Sequence, residues 1–220
     1  MIKKALVVIA LLIGLGFMLI PYDALVIYKN RRNFAISPEP QGNVMTAKRS
    51  NKHPLFVIQK HNASHLHYDF RLEIDGVLKS WAVPKGPSTD PHDKRLAIET
   101  EDHPMDYATF EGIIPEGEYG AGSVIVWDIG TFSSIKEKNG ELISPAQSYK
   151  NGQIEINLDG KKLHGNYALI RTEGDDKKWL LIKMNDEYAD AHGNIVEQQP
   201  ESALSGKTIE EITSKKKLKK

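Results

Sequence analysis

The chain has 220 residues, which is the size of one domain or of one domain with attached segments. It contains no cysteine, and this excludes a disulfide scaffold, a thiolate metal site and a thiol nucleophile. The 29 basic and 29 acidic residues balance, but seven of the lysines lie in the first 20 and the last six residues. Residues 21–214 therefore hold 22 basic against 29 acidic residues. Since affinity for phosphate backbones rests on Lys and Arg, a body this acidic would handle nucleic acid through a local site or through its tail.

The chain begins with a hydrophobic segment, residues 1–21, in which residues 5–21 carry no charge. Three interpretations stay open: a membrane anchor, a cleaved signal peptide, and a misassigned start with Met18 as the true first residue. The downstream flank is richer in Lys and Arg than the upstream flank, which favours a cytoplasmic location for the body. We therefore expect a cytoplasmic protein, either free or tethered to the inner membrane through residues 5–21.

An extended arm is expected over residues 28–42, where Pro38 and Pro40 interrupt a polar stretch. The body that follows contains eight short apolar or alternating runs, punctuated by Gly and Pro. They read LFVIQ, HLHYDFRLEI, KSWAV, RLAIET, GSVIVWD, GQIEINL, YALIRT and KWLLIK. Such runs predict a mainly β protein, a compact antiparallel β-barrel or sandwich of about eight strands with little helix.

Two Asp-Gly pairs predict hairpin turns, at Asp75-Gly76 and at Asp159-Gly160. Residues 191–220 turn polar again and predict a linker that ends in a basic tail, with one short helix. The glycine-rich run IIPEGEYGAGSVIVWD enters a strand rather than a helix. We interpret it as a tight turn, because the Gly-Lys-Ser/Thr of a phosphate-binding loop does not follow it.

The most informative stretch is QKHNASHLHYDFRLE, residues 59–73. Side chains alternate between the faces of a strand, so His65, His67, Asp69 and Arg71 would share one face. His67 and Asp69 would lie about 7 Å apart at their Cα atoms, which suits two ligands of one metal ion. His61 could supply a third ligand, and this donor set favours Mn, Fe, Co, Ni or Zn over Ca or Mg. The alternative is an ordinary polar outer face, and His65 fits that interpretation best.

A second stretch, LAIETEDHPMDYATFEG, places Glu101 and His103 on one face if the strand stays extended, with Tyr107 one turn later. His and Tyr beside a metal are suited to contact an oxyanion or to donate a proton. Equally open is a loop in which His103 caps a turn.

Two long stretches closely resemble the 3′-phosphoesterase domain of bacterial DNA ligase D. They are QKHNASHLHYDFRLEIDGVLKSWAVPKGPS and EDHPMDYATFEGIIPEGEYGAGSVIVWDIGTF, and LHGNYALIRTEGDDKKWLLIKMNDEYAD resembles the end of that domain. The resemblance covers residues 28–190. It implies a β-barrel enzyme that depends on Mn²⁺, or on Co²⁺ or another divalent transition metal as a substitute. It further implies action on DNA 3′ ends in non-homologous end joining, where a 3′-phosphate or a 3′-terminal ribonucleoside is removed from a primer-template.

The resemblance also assigns residues by motif. It implies metal ligands at His61, His67 and Asp69, phosphate-contacting and catalytic residues at Arg71, His103 and Tyr107, and supporting polar residues at Gln59, Glu101, Arg32 and Glu39. Asn33 stands where the family usually has Asp, so the resemblance implies phosphate removal more strongly than ribonucleoside removal.

Too few residues remain for a polymerase or ligase domain, so the resemblance implies a stand-alone phosphoesterase. A separate DNA ligase, polymerase or end-binding protein would then be its partner. Two other functions compete with this hypothesis. His67, Asp69 and His103 also fit a two-His-one-carboxylate iron site of a β-barrel oxygenase, and a non-catalytic DNA-end-binding module would carry the same fold.

Overall fold

The computed structural model describes residues 23–42 and 53–217, with side chains up to residue 214. The hydrophobic segment 1–21 and the last three residues of the basic tail lie outside the described residues. Within the part of the chain that is described, no helix is both long and apolar enough to cross a membrane.

The described chain forms eleven strands and four short helices. The strands are β1 (Leu55–Asn62), β2 (Leu66–Ile74), β3 (Val77–Val83), β4 (Arg95–Glu99), β5 (Gly112–Ile114), β6 (Gly122–Ser134), β7 (Glu137–Lys138), β8 (Glu141–Leu142), β9 (Gln153–Gly160), β10 (His164–Arg171) and β11 (Lys178–Lys183). The helices are α1 (Val26–Asn30), α2 (Pro145–Asn151), α3 (Ile195–Gln198) and α4 (Ile209–Lys217), and a 3₁₀ turn covers Met105–Thr109.

Eight antiparallel strands close into a barrel in the order β1-β2-β3-β4-β11-β10-β9-β6, and β6 pairs back with β1. Each of the eight predicted runs forms one of these strands, so the predicted mainly β fold and barrel are confirmed. The short strand β5 adds to the edge of β6, and β7 pairs with β8 as a separate hairpin.

One of the two predicted hairpin turns is correct. Asp75 and Gly76 join β2 to β3 with φ of 53° and 79°, the left-handed pair that a two-residue hairpin requires. Asp159 and Gly160 instead end β9, and the turn into β10 lies over residues 161–163. The buried Asp128 carboxylate builds that turn, because it accepts hydrogen bonds from the backbone N–H groups of all three turn residues.

The two faces of the barrel wall carry different layers. Alternation along β2 sends Tyr68, Phe70 and Leu72 into the main core, which also holds the fully buried Trp81, Trp127 and Trp179. A second apolar cluster lies on the opposite face of the wall and includes Tyr28, Val57, Leu78, Tyr107, Phe110, Val124 and Val126. The arm with α1 and the 3₁₀ turn therefore cover the outer face of β1, β3 and β6. The residues of β2 between the core residues face this covering layer.

Packing against the barrel continues beyond residue 190. Ile195 belongs to the main core, and Ile209 on α4 is buried. The indole N–H of Trp127 donates to the carbonyl of Gln199 at 2.6 Å, and the N–H of Ala203 donates to the carbonyl of Val126 at 2.8 Å. The region predicted as a polar linker thus follows the barrel surface along β6, and α4 is the short helix expected near the C-terminus.

Candidate active site on the outer wall of the barrel

Three potential metal ligands meet where β1 and β2 run side by side. In the antiparallel register His61 lies opposite His67, and Gln59 lies opposite Asp69. One ligand atom from each of His61, His67 and Asp69 lies within 4.8 Å of the other two. The short connection between the strands produces this pairing, since it folds His61 back onto the face that His67 and Asp69 share.

The hydrogen bonds of the two histidines fit a metal site. The Nε2–H of His61 donates to the carbonyl of Gly120, and the Nδ1–H of His67 donates to the carbonyl of His65, both at 2.9 Å. The remaining nitrogens, Nδ1 of His61 and Nε2 of His67, then lie 3.5 and 3.7 Å from the Asp69 carboxylate. Outer N–H groups anchored on carbonyls, with lone pairs converging on a carboxylate, are typical of metal-binding histidines. The residues present therefore fit a divalent transition metal.

The Asp69 carboxyl group stays ionised in this site. Burial alone would raise the pKa of the Asp69 carboxyl group, but the Arg71 guanidinium lies 3.2 Å away and holds that pKa well below its ordinary value. Asp69 is therefore an anionic carboxylate at neutral pH.

Arg71 is fixed in place by the wall behind it. Its Nε donates to the Gln59 side-chain carbonyl at 2.9 Å, and its Nη1 donates to the Ser80 hydroxyl at 2.8 Å. The Gln59 amide donates in turn to the carbonyls of Tyr107 and Phe110. Gln59 thus lies behind the pocket. It connects the 3₁₀ turn to Arg71 and so fixes the orientation of the guanidinium group.

The arm delivers a second buried arginine to the site. The Arg32 Nε donates to Glu39 at 2.8 Å, and its Nη1 donates to Glu101 at 3.0 Å. All three side chains are at most 4% exposed. The Arg32 guanidinium also lies 3.8 Å from the centre of the Tyr28 ring. This ion-pair network connects the arm to the segment after β4.

His103 lies between the two arginines. Its Nδ1–H donates to the carbonyl of Glu101 at 2.9 Å, which leaves Nε2 to accept from Arg32 at 3.2 Å. Burial and the neighbouring Arg71 and Arg32 charges lower the pKa of His103 well below 6.5. His103 is therefore a neutral imidazole in the free protein, with its acceptor nitrogen directed to the cationic groups.

The Tyr107 side chain is hydrogen bonded to the arm. Its hydroxyl donates to Glu39 at 2.9 Å, and its ring lies 5.0 Å from the Arg71 guanidinium carbon. Burial and the Glu39 charge raise the pKa of Tyr107 well above 10. The Tyr107 hydroxyl thus fixes the Glu39 carboxylate by a hydrogen bond, while the Tyr107 ring forms one side of the site.

These groups surround one cavity of about 260 Å³. Eight of the ten predicted site residues line it, namely Arg32, His61, His67, Asp69, Arg71, Glu101, His103 and Tyr107. Gln59 and Glu39 lie behind this lining and hold Arg71 and Arg32. Asn33 lies on the exposed turn after α1, where its side chain accepts from the N–H of Ala35.

Several site residues were not predicted. Tyr119 and Gly120 line the cavity from the glycine-rich loop interpreted as a plain turn. Arg31 donates to both Glu101 and Tyr119, at 2.9 and 2.8 Å. The pair of adjacent arginines in the arm was the one signal in the sequence for Arg31. The contact between Arg31 and Tyr119 spans 88 residues of sequence, so no local pattern indicates it.

The neutral state of His103 predicts how stability depends on pH. An unfolded chain takes up a proton on this residue near pH 6.5, whereas the folded protein, with its lowered pKa, does not. Between pH 7 and 5 the free energy of unfolding should therefore fall by up to about 2 kcal/mol more in the unaltered protein than in His103→Gln. Urea unfolding at several pH values measures this difference. Parallel pH profiles for the two proteins would contradict it.

One cavity is surrounded by potential metal ligands, two fixed guanidinium groups and a neutral imidazole. Together these groups define a class of site. It is suited to metal-assisted reactions of phosphate esters on a β-barrel. Comparison with known protein families agrees with this class, because residues 59–171 match the family described as the DNA ligase D 3′-phosphoesterase domain. The chain belongs to that family.

The relatives that match most of this chain are multifunctional end-joining proteins. The chain is 46% identical over 186 residues to the multifunctional non-homologous end joining protein LigD of Pseudomonas aeruginosa, a match that covers 83% of this chain and 21% of that protein. It is 46% identical over 166 residues to the LigD repair protein of Mycobacterium tuberculosis, covering 75% of this chain and 20% of the relative. The chain thus spans about a fifth of the length of these relatives. Family membership favours a phosphoesterase over the competing oxygenase and the non-catalytic module.

Proposed function

We propose that this protein removes phosphate from the 3′ ends of DNA and leaves a 3′-hydroxyl, as an end-processing step of double-strand break repair by end joining. One observation carries the proposal. A potential metal site, formed by His61, His67 and Asp69, and the cationic groups of Arg32 and Arg71 face the same cavity in a chain of the 3′-phosphoesterase family. A terminal phosphate is the group that both halves of this cavity would bind.

His61, His67 and Asp69 would hold the metal. Two imidazoles and one carboxylate suit a borderline cation, and we propose Mn²⁺, with Co²⁺ or another divalent transition metal as a substitute. When bound, the metal would supply charge stabilisation and a polarised water. The chain's own residues supply the remaining chemistry.

Arg71 and Arg32 would bind the non-bridging oxygens of the phosphate. A guanidinium group matches phosphate geometry and keeps its charge at all relevant pH values. Arg71 lies beside the ligand Asp69, while Arg32 approaches from the covering arm. The phosphate would therefore lie between the barrel wall and the arm, and its orientation would depend on both.

His103 would handle the proton of the leaving 3′ oxygen. Its low pKa in the free protein results from burial and from the neighbouring Arg71 and Arg32 charges. A bound phosphate dianion would add negative charge beside His103 and so raise its pKa, which favours a protonated imidazole only when substrate is present. We infer that His103 protonates the leaving oxygen or stabilises its charge, and that Tyr107 positions Glu39 and Arg71.

Removal of a 3′-terminal ribonucleoside is the second activity we propose, and the same cavity would perform it. Asn33, which replaces the family's Asp, lies on the exposed turn rather than in the lining. Asn33→Asp, compared with the unaltered protein on a primer-template ending in one ribonucleotide, distinguishes whether this position limits that activity.

The direct test of the proposed function uses a DNA primer-template that ends in a 3′-phosphate. The purified protein, freed of metal by a chelator, should release no phosphate, and added Mn²⁺ should restore release and yield a 3′-hydroxyl product. Electrophoresis of the labelled primer separates the two ends. A screen of divalent metals in which every sample retains its 3′-phosphate would overturn the proposal.

A further inference from the structure

A second groove opens beside the catalytic cavity. Its volume is about 710 Å³, and it shares Thr100, Glu101 and Tyr119 with the lining of that cavity. Arg31 marks the boundary, because its exposed guanidinium donates to Glu101 and Tyr119 there. A ligand whose end lies in the cavity can therefore continue into the groove.

Three cations line the far side of this groove. Lys150 lies in the last turn of α2, Arg171 ends β10, and Lys177 precedes β11. Among the described residues, none of the three forms an ion pair within 4.0 Å. Lys150 and Lys177 are exposed, while Arg171 lies over the Trp179 ring at 5.6 Å. The fold thus places three positive charges in one groove without using them for ion pairs.

Two of the groove's carboxylates are already engaged. Glu99 accepts hydrogen bonds from the Tyr149 hydroxyl and, at 2.9 Å, from the Trp179 indole. Glu101 pairs with Arg31 and Arg32. Asp176 is the remaining acidic residue of the lining. With Arg31 included, the lining holds four cationic residues against three carboxylates, although residues 21–214 as a whole carry more acidic than basic residues.

We propose that this groove binds the phosphodiester backbone of the DNA strand whose 3′ end occupies the catalytic cavity; the proposal rests on the function proposed above. A DNA strand carries one phosphate for about every 3.4 Å of helix axis, so a strand leaving the cavity presents further phosphates at once. Lys150, Arg171 and Lys177 would neutralise those phosphates. Arg31 would lie where the strand passes from the cavity to the groove.

The test compares two pairs of lysines. Lys150→Gln/Lys177→Gln removes two charges from the groove at exposed positions, and Lys138→Gln/Lys207→Gln removes two charges from residues that lie outside both cavities. Affinity for a fluorescent primer-template ending in a 3′-phosphate is measured by anisotropy at several salt concentrations. Phosphate contacts contribute about one unit each to the slope of log affinity against log salt.

We expect the groove variant to bind the primer-template severalfold more weakly and its salt slope to fall by up to about 2, with the control variant unchanged. The KM of the groove variant for the primer-template should rise by more than its kcat falls, because the groove would touch no reacting atom. Lys150→Arg/Lys177→Arg should retain the original slope. Melting temperatures confirm that all variants are folded.

Two failures can be told apart. If the unaltered protein releases phosphate from the primer-template and the groove variant binds it with the affinity and slope of the control, the groove proposal is overturned and the function stands. If the unaltered protein releases no phosphate with any divalent metal, the proposed function fails. The binding experiment needs no turnover, so it still decides whether the groove contacts DNA.

Discussion

Removing any one of the three proposed metal ligands is expected to lower the rate of 3′-phosphate release by about 10³-fold or more. A bound metal supplies several kcal/mol of charge stabilisation, and each 1.36 kcal/mol corresponds to a factor of ten in rate. The variants are His61→Ala, His67→Ala and Asp69→Asn; asparagine is used for Asp69 because it keeps a side chain of the same shape beside the buried Arg71. Phosphate release and Mn²⁺ binding by calorimetry are the two measurements.

The control for these variants is His65→Ala. His65 is exposed in the connection between β1 and β2, and its backbone carbonyl accepts from His67. It should retain near-normal activity and metal affinity. Equal damage from His65→Ala and His67→Ala would mean that the ligands are wrongly chosen. All four proteins should remain folded, since none of the replaced side chains belongs to the barrel core.

The second large effect is expected on stability. Glu39 is the buried carboxylate that joins the arm to the site, because it accepts from Arg32, Tyr107 and the Ser37 hydroxyl. Glu39→Ala would leave these donors without their shared acceptor, and removing one partner of a buried ion pair costs about 3–5 kcal/mol. Urea unfolding should show a loss of that order and phosphate release should fall with it.

Two comparison variants make the Glu39 result specific. Glu137→Ala, at an exposed position on β7, should change the free energy of unfolding by no more than about 0.5 kcal/mol. Glu39→Gln keeps the shape and one acceptor oxygen, so it should lie between Glu39→Ala and the unaltered protein. A Glu39→Ala protein as stable and active as Glu137→Ala would show that the arm's attachment does not depend on this network.

The fold was predictable because its strands follow local rules. Short apolar or alternating runs and the Gly and Pro punctuation identified all eight barrel strands. The cluster of potential metal ligands was predictable for the same reason: His67 and Asp69 are two residues apart on one strand, and His61 is on the strand paired with it. The Asp75-Gly76 turn likewise depends on its own residues alone.

What could not be predicted depends on contacts between distant parts of the chain. Asp159-Gly160 has a turn sequence, but the distant Asp128 carboxylate places the turn one step later. The hydrogen bond from the Tyr107 hydroxyl to Glu39 joins residues 68 positions apart. The groove beside the site is assembled from α1, α2, β4, β10 and the segment before β11, and no local pattern reports such an assembly.

Strand β2 serves the core and the site at once, and this limits how the protein can change during evolution. Tyr68, Phe70 and Leu72 face the core, while His67, Asp69 and Arg71 face the site. Substitutions can alter one set and leave the other intact. Insertion or deletion of a single residue would exchange the two sets, burying charges in the core and exposing aromatic rings in the site. Lineages of this domain should therefore vary the composition of β2 while keeping its length fixed.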